Sequence, residues 1–215
     1  MNNVKAKKRY GQNFLKDENV LTKIIESMPN NNSHLVEIGP GLGDLTQKLV
    51  KYKEMTAYEV DSDLFTILQS KFATQIENKK LKLIHTDVLE AWDKQDTLFN
   101  GNYDLIANLP YYIATNIILR AFEDDNCEHI IVMIQKEVAN KFAASEGDKD
   151  FSSLGVMAKL ISKESRILFD VPPTSFEPAP KVMSSILYIR KDKDVKLSLE
   201  FKKFLKAAFM QPRKK

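Results

Sequence analysis

The chain has 215 residues, is 43% hydrophobic and carries a formal net charge of +3, enough to bury one full core and a small appended domain. Its single cysteine, Cys127, excludes an internal disulfide and suits a reducing cytoplasm. No apolar stretch approaches the roughly 20 residues of a membrane span, and the basic start lacks the apolar centre of a signal peptide, so a cytoplasmic monomer without membrane contact is expected. In chain order, a basic opening (Lys5, Lys7, Lys8, Arg9) leads into short apolar runs that alternate with amphipathic segments. Strands are expected over 35–38, 56–60, 81–85, 103–108 and 130–134, with helices over 44–51, 62–76 and 115–122. This is the βαβ alternation of an α/β protein with a parallel sheet and helices on both faces. A helix over 151–161 follows, then two β-rich runs, 165–171 and 184–190, separated by a loop carrying Pro172, Pro173, Pro178 and Pro180; they read as an antiparallel pair ending the sheet. The main domain is expected over 1–190 and a linker over 191–196. A helical pattern over 198–210 begins a small C-terminal helical domain (197–215). That end is basic again, with Lys202, Lys203, Lys206, Arg213, Lys214 and Lys215. Such ends suit a polyanion partner, although solvated tails share the pattern.

Immediately after the apolar run Leu35, Val36, Ile38 stands Glu37-Ile-Gly-Pro-Gly-Leu-Gly-Asp44, three glycines within five residues. Glycine tolerates positive φ and has no Cβ to block a close backbone approach, so a strand ending there can pass under a bulky ligand. A dinucleotide loop needs Gly-x-Gly-x-x-Gly, and here Asp44 holds the last position. A Walker loop is excluded because no Gly-Lys-Ser/Thr follows. The Glu-x-Gly-x-Gly-x-Gly form is similar to that of class I methyltransferases, which implies S-adenosyl-L-methionine as cofactor.

In an open parallel sheet, ligands sit beyond the carboxyl ends of the strands. Glu59 ends the second strand, where a carboxylate can accept both hydroxyls of a ribose; Asp61, the next acid, is expected to face the other way. Asp87 ends the third strand, able to accept from an adenine amino group while Val88 packs on the ring. The fourth strand ends Ala107-Asn108-Leu109-Pro110-Tyr111. An exocyclic base nitrogen is a poor nucleophile, and the Asn108 carboxamide oxygen and Leu109 carbonyl could accept its hydrogen bonds and direct its lone pair. Tyr111 offers a ring for stacking. His34, His85 and His129 have no ligand-like spacing to one another or to Cys127, so no metal site is expected.

On these residues, together with Gly11-Gln12-Asn13-Phe14-Leu15, Gln135-Lys136-Glu137-Val138-Ala139 and Phe176-Glu177-Pro178-Ala179-Pro180-Lys181-Val182, the chain resembles the ribosomal RNA adenine dimethyltransferase family over almost its whole length. The resemblance implies a class I, Rossmann-like sheet with an antiparallel last strand. It implies that Asn13, Leu15, Gly39, Gly41, Glu59, Asp87, Val88 and Asn108 bind S-adenosyl-L-methionine. Asn108, Leu109 and Tyr111 would then hold the target adenine, with Phe176 stacking opposite Tyr111. The implied substrate is ribosomal RNA of the bacterial small subunit, dimethylated at two adjacent adenosines during maturation. The related Erm methylases of large-subunit RNA share the Asn-x-Pro-Tyr chemistry, and a non-catalytic ribosome-assembly protein on the same fold is a further alternative. Two departures stand at the end: Pro212 occupies a place where a second arginine is usual, and the family normally continues beyond Lys215 with more helices, so the RNA-contacting domain is expected to be incomplete.

Overall fold

The computed structural model describes residues 6, 7, 10–195, 198–201, 203 and 204. It begins with a two-residue strand β1 (Phe14–Leu15) and helix α1 (Glu18–Glu26), followed by β2 (His34–Ile38), α2 (Asp44–Leu49), β3 (Met55–Glu59), α3 (Ser62–Lys71), α4 (Ala73–Glu77) and β4 (Leu81–His85). Next come α5 (Val88–Gln95), β5 (Tyr103–Asn108), α6 (Ala114–Glu123), β6 (Cys127–Gln135), α7 (Lys136–Ala143) and α8 (Ser153–Ile161). The strands β7 (Ser162–Val171), β8 (Phe176–Glu177) and β9 (Ser184–Lys191) complete the set.

Seven strands form one sheet in the order β4-β3-β2-β5-β6-β9-β7. The pairs among β2 to β6 are parallel, whereas β9 runs antiparallel to both β6 and β7. The expected antiparallel pair is therefore present, with β9 inserted between β6 and the edge strand β7. Strand order reverses between β2 and β5: the chain builds β3 and β4 on one side of β2, then β5 and β6 on the other. Connections diverge at such a point and leave a crevice beyond the carboxyl ends of the strands.

Period-two alternation divides the central strands between two apolar layers. Val36, Leu105, Ala107, Ile130, Val132 and Ile134 pack with Trp92, Ile117 and Phe142. Leu35, Ile106, Ile131 and Met133 pack with Leu21, Leu49, Leu68 and Phe72. Because both faces are covered, these strands read as nearly unbroken apolar runs.

Some boundaries and elements differ from the sequence expectation. The helix expected over 62–76 breaks at Phe72, which leaves helical geometry at φ −112°. Its ring is buried beneath Gly43, where an added Cβ would stand 2.5 Å from Phe72 Cε2. Helices α1, α5 and α7 were not anticipated. The first two are begun by carboxylate caps: Asp17 accepts from the Asn19 and Val20 amides, and Asp87 from the Leu89 amide. Strand β1 pairs antiparallel with β8, joining Phe14 to Glu177 and Leu15 to Phe176. Of the helix expected over 198–210, residues 199–201, 203 and 204 are helical, and the rest lies outside the described residues. So do Lys5, Lys8, Arg9, the 197 boundary and most of the C-terminal basic cluster.

Candidate active site

An open cavity occupies the crevice beyond β2, β3, β4 and β5. The loop after β2 forms its floor. Gly41 adopts φ +62°, and a Cβ there would stand 3.1 Å from the Phe14 ring, so the N-terminal segment can lie directly on the loop. Gly43 adopts φ +80° and starts α2. Only glycine meets both the left-handed backbone and the contact with Phe72.

Glu59 stands at the end of β3 with 4% of its surface exposed. Its carboxylate accepts from the Gly41 amide at 3.3 Å and from the Asp61 amide at 2.8 Å, tying the glycine loop to the start of α3. Burial raises its pKa, and the backbone hydrogen bonds oppose the rise. Asp87 both caps α5 and lines the cavity, and the buried Val88 lines it beside Asp87.

Asn108 ends β5 at the cavity wall. Its Nδ2 donates to the Asn13 carbonyl at 3.0 Å, which leaves Oδ1 as the acceptor for a ligand. Leu109 is buried, its amide donating to the Met133 carbonyl at 3.1 Å. Tyr111 lines the cavity, and its hydroxyl meets Ser184 Oγ at 2.7 Å. That bond holds the ring against the start of β9.

Asn13, Leu15, Gly39, Gly41, Glu59, Asp87, Val88, Asn108, Leu109 and Tyr111 all line this one cavity. Phe176 does not. It is 6% exposed and packs with Leu15, Leu21 and Ile24, brought near the site only through the β1–β8 pairing.

Two further acids stand at or beside the cavity. Asp61, expected to face away, is absent from the cavity lining; it caps α3 and is 1% exposed. It receives Lys7 Nζ at 2.6 Å and Gln12 Nε2 at 3.0 Å. The ion pair and these hydrogen bonds outweigh burial and lower its pKa. Glu37 is buried at the cavity floor and accepts from Thr46 Oγ1 at 2.6 Å. Burial pushes its pKa up to about 8, so the group is largely protonated at neutral pH.

At the far end of the sheet, ligand atoms of Asp104, Glu128 and His129 lie within 4.8 Å of one another. Their oxygens already have partners. Asp104 meets His129 Nδ1 at 2.7 Å and Lys53 Nζ at 3.5 Å, while Glu128 pairs with Lys193 and Ser33. This is a hydrogen-bonded ion-pair network at the start of β5 and β6.

The strand order, the antiparallel β9 and the cavity at the reversal define a class I methyltransferase fold. The family model for ribosomal RNA adenine dimethylase matches residues 3–215, and the chain belongs to that family. It is 71% identical, over 100% of its length and 81% of the relative's, to the ribosomal RNA small subunit methyltransferase A of Aliarcobacter butzleri. Among solved structures, it is similar to a dimethyladenosine transferase from Plasmodium falciparum, with 28% identity and a TM-score of 0.80, covering 94% of this chain and 72% of that one. The 23S rRNA methyltransferase ErmE is similar at 26% identity and a TM-score of 0.73, covering 84% of this chain and 70% of that one.

Proposed function

We propose that this chain transfers methyl groups from S-adenosyl-L-methionine to the exocyclic amino groups of two adjacent adenosines in 16S ribosomal RNA, acting as a cytoplasmic monomer during small-subunit maturation. The observation that carries the reading is the Asn-Leu-Pro-Tyr turn at the cavity wall, with the Asn108 Nδ2 held by Asn13 and its oxygen available. The 71% identity to a small-subunit methyltransferase selects the substrate.

The donor set fits the cofactor. Glu59 retains lone pairs for ribose hydroxyls beyond those its two backbone partners use. Asp87 and Val88 suit an adenine amino edge and face, while Asn13, Leu15 and the Gly39–Gly41 backbone suit the amino-acid end. S-adenosyl-L-methionine, when bound, supplies a methyl group already activated by its sulfonium. The chain's own task is orientation. Asn108 Oδ1 and the Leu109 carbonyl accept the adenine amino protons and direct the nitrogen lone pair, a contribution of several kcal/mol when geometry and dipoles are set in advance. Tyr111 offers one stacking face. Phe176, given the opposite face by the family resemblance, stands in the apolar layer with Leu15 and Leu21. The alkylated amine is acidic enough to lose its proton to water, so no dedicated base is required.

Glu59→Ala weakens S-adenosyl-L-methionine binding by roughly 1–3 kcal/mol, the loss expected for a hydrogen bond to a charged acceptor, while circular dichroism stays that of the parent. Unchanged calorimetric affinity would remove Glu59 from the ribose site.

The reading is tested by incubating the protein with labelled cofactor and purified small or large ribosomal subunits, then mapping the label. Two adjacent dimethyladenosines in small-subunit RNA are expected. Label confined to large-subunit RNA would favour the Erm activity, and no label in either would favour an assembly protein without catalysis.

A further inference from the structure

We propose that Gln12 is a positioning residue for methyl transfer: clamped on Asp61, it holds the Asn13 carbonyl against the Asn108 carboxamide and so fixes which end of that amide faces the substrate amine. This deepens the reading above, because it assumes that the Asn108 oxygen accepts from the amine.

A carboxamide has nearly the same shape in its two flipped forms but opposite hydrogen-bonding character at its ends. With Nδ2 donating to the Asn13 carbonyl at 3.0 Å, Oδ1 is free for the cavity. The reversed amide would set two oxygens lone pair to lone pair and present a donor to an amine that is itself a donor. The position of the Asn13 carbonyl therefore selects the productive form.

That carbonyl is not part of a helix or of the main sheet, so other contacts must place it. On its C-terminal side, Phe14 and Leu15 pair with β8. On its N-terminal side the chain turns at Gly11, φ +59°, whose carbonyl accepts Asn13 Nδ2 at 3.2 Å. Between them Gln12 provides the anchor. Its Nε2 donates to Asp61 Oδ2 at 3.0 Å and its Oε1 accepts the Lys7 amide at 2.7 Å. Asp61 is a rigid post: it is buried, and its Oδ1 caps α3 by accepting from the Asp63 amide at 3.0 Å.

The Lys7 ammonium also reaches Asp61 and Asp63, each at 2.6 Å; the pair with the exposed Asp63 is screened by solvent, whereas the pair with the buried Asp61 adds to the same post. The bond from Gln12 to the buried carboxylate is the link that involves the residue next to Asn13. The Gln12 amide oxygen is engaged by Lys7 and one of its amide protons by Asp61; Gln12 also lines the cavity, and the test below separates a direct contact from leverage that runs through its backbone to the next carbonyl.

The test is a double-mutant cycle read as kcat at saturating cofactor and RNA, together with a spectroscopic readout on the full chain. Gln12→Ala is expected to lower kcat about tenfold with Asn108 present and to have no further effect in an Asn108→Ala background, since the group it positions is then missing. Equal losses in both backgrounds would overturn the proposal, because Gln12 would then be acting on the cofactor or the fold. In ¹⁵N-labelled protein without substrate, the Asn108 side-chain amide pair, assigned by its loss in Asn108→Ala, should show one proton protected from solvent exchange. Gln12→Ala should remove that protection. Retained protection would overturn the proposal whether or not the protein methylates RNA, whereas lost protection without methyl transfer by the parent would count against the functional reading alone.

Discussion

Asn108→Ala lowers the rate of methyl transfer by roughly 10²–10³-fold, the scale on which removal of one preorganised polar group from a reacting centre is felt, while RNA affinity changes little. The side chain is placed for this effect: its nitrogen is committed to the Asn13 carbonyl and its oxygen is left for the cavity. Alanine removes the Asn108 acceptor and leaves the Leu109 carbonyl to orient the amine. An interaction made mainly with the reacting group appears in kcat rather than in ground-state binding. Single-turnover methylation and filter binding of the same RNA separate the two quantities. A rate within twofold of the parent would contradict the role. Asn108→Asp is a useful companion, since its carboxylate keeps an acceptor for the amine but cannot donate to Asn13, and it should fall between parent and alanine.

The sheet was legible because its central strands are buried on both faces. Runs such as Ile130 to Ile134 carry apolar residues at every position, and the two layers they feed account for each of them. Helices α2, α6 and α8 were found because their apolar faces are continuous. Helix α7 was missed for the opposite reason: in Lys-Glu-Val-Ala-Asn-Lys-Phe-Ala only Ala139 and Phe142 are buried, too few to set a period. Helix α1 carried its signal openly, with Asp17 as cap and Val20, Leu21 and Ile24 on one face, but it directly follows a segment that reads as a binding motif. The break at Phe72 had no local trace. A ring drawn under Gly43 from 29 positions away accompanies it, and the pairing of β1 with β8 is non-local in the same way, spanning most of the chain.

For the site, Glu59, Asp87 and Asn108 could be placed because α/β order alone puts strand ends at one edge of the sheet. Asp61, expected to face away from the ligand side, does not line the cavity: β3 stops at Glu59, and Asp61 takes the geometry of a helix cap, φ −82° and ψ 113°. Gln12 and Lys7 converge on it from the segment before β1, a meeting that no periodicity encodes. Phe176 shows the converse. Its residue type suits stacking, yet its neighbours Leu15 and Leu21 claim it for the apolar layer.

Glu37 should make the protein's stability fall as pH rises through the neutral range, and Glu37→Gln should abolish that part of the dependence. The carboxyl lies fully buried, with Thr46 as its hydrogen-bond partner; Glu59 and Asp44 add repulsion and Lys71 only partly offsets it. Its pKa rises from 4.5 to about 8 on folding, so the folded chain binds a proton that the unfolded chain releases between those values. Stability linked to this group is greatest below about pH 4.5, declines as the pH rises toward 8 and is level beyond it. The full decline is on the order of 5 kcal/mol, since one pKa unit corresponds to about 1.4 kcal/mol. Glutamine keeps an acceptor for Thr46 and does not ionise, so any cost of its amide group is constant with pH. Other carboxylates, among them Asp17 and Asp170, have lowered pKa values and pull the total stability the opposite way in acid, which makes the difference between parent and variant the quantity to follow. Urea unfolding of both proteins at pH 5 and pH 8.5 measures it. The variant should gain on the parent by several kcal/mol between the two conditions, and a difference that stays constant would mean that Glu37 is ionised in the folded protein throughout.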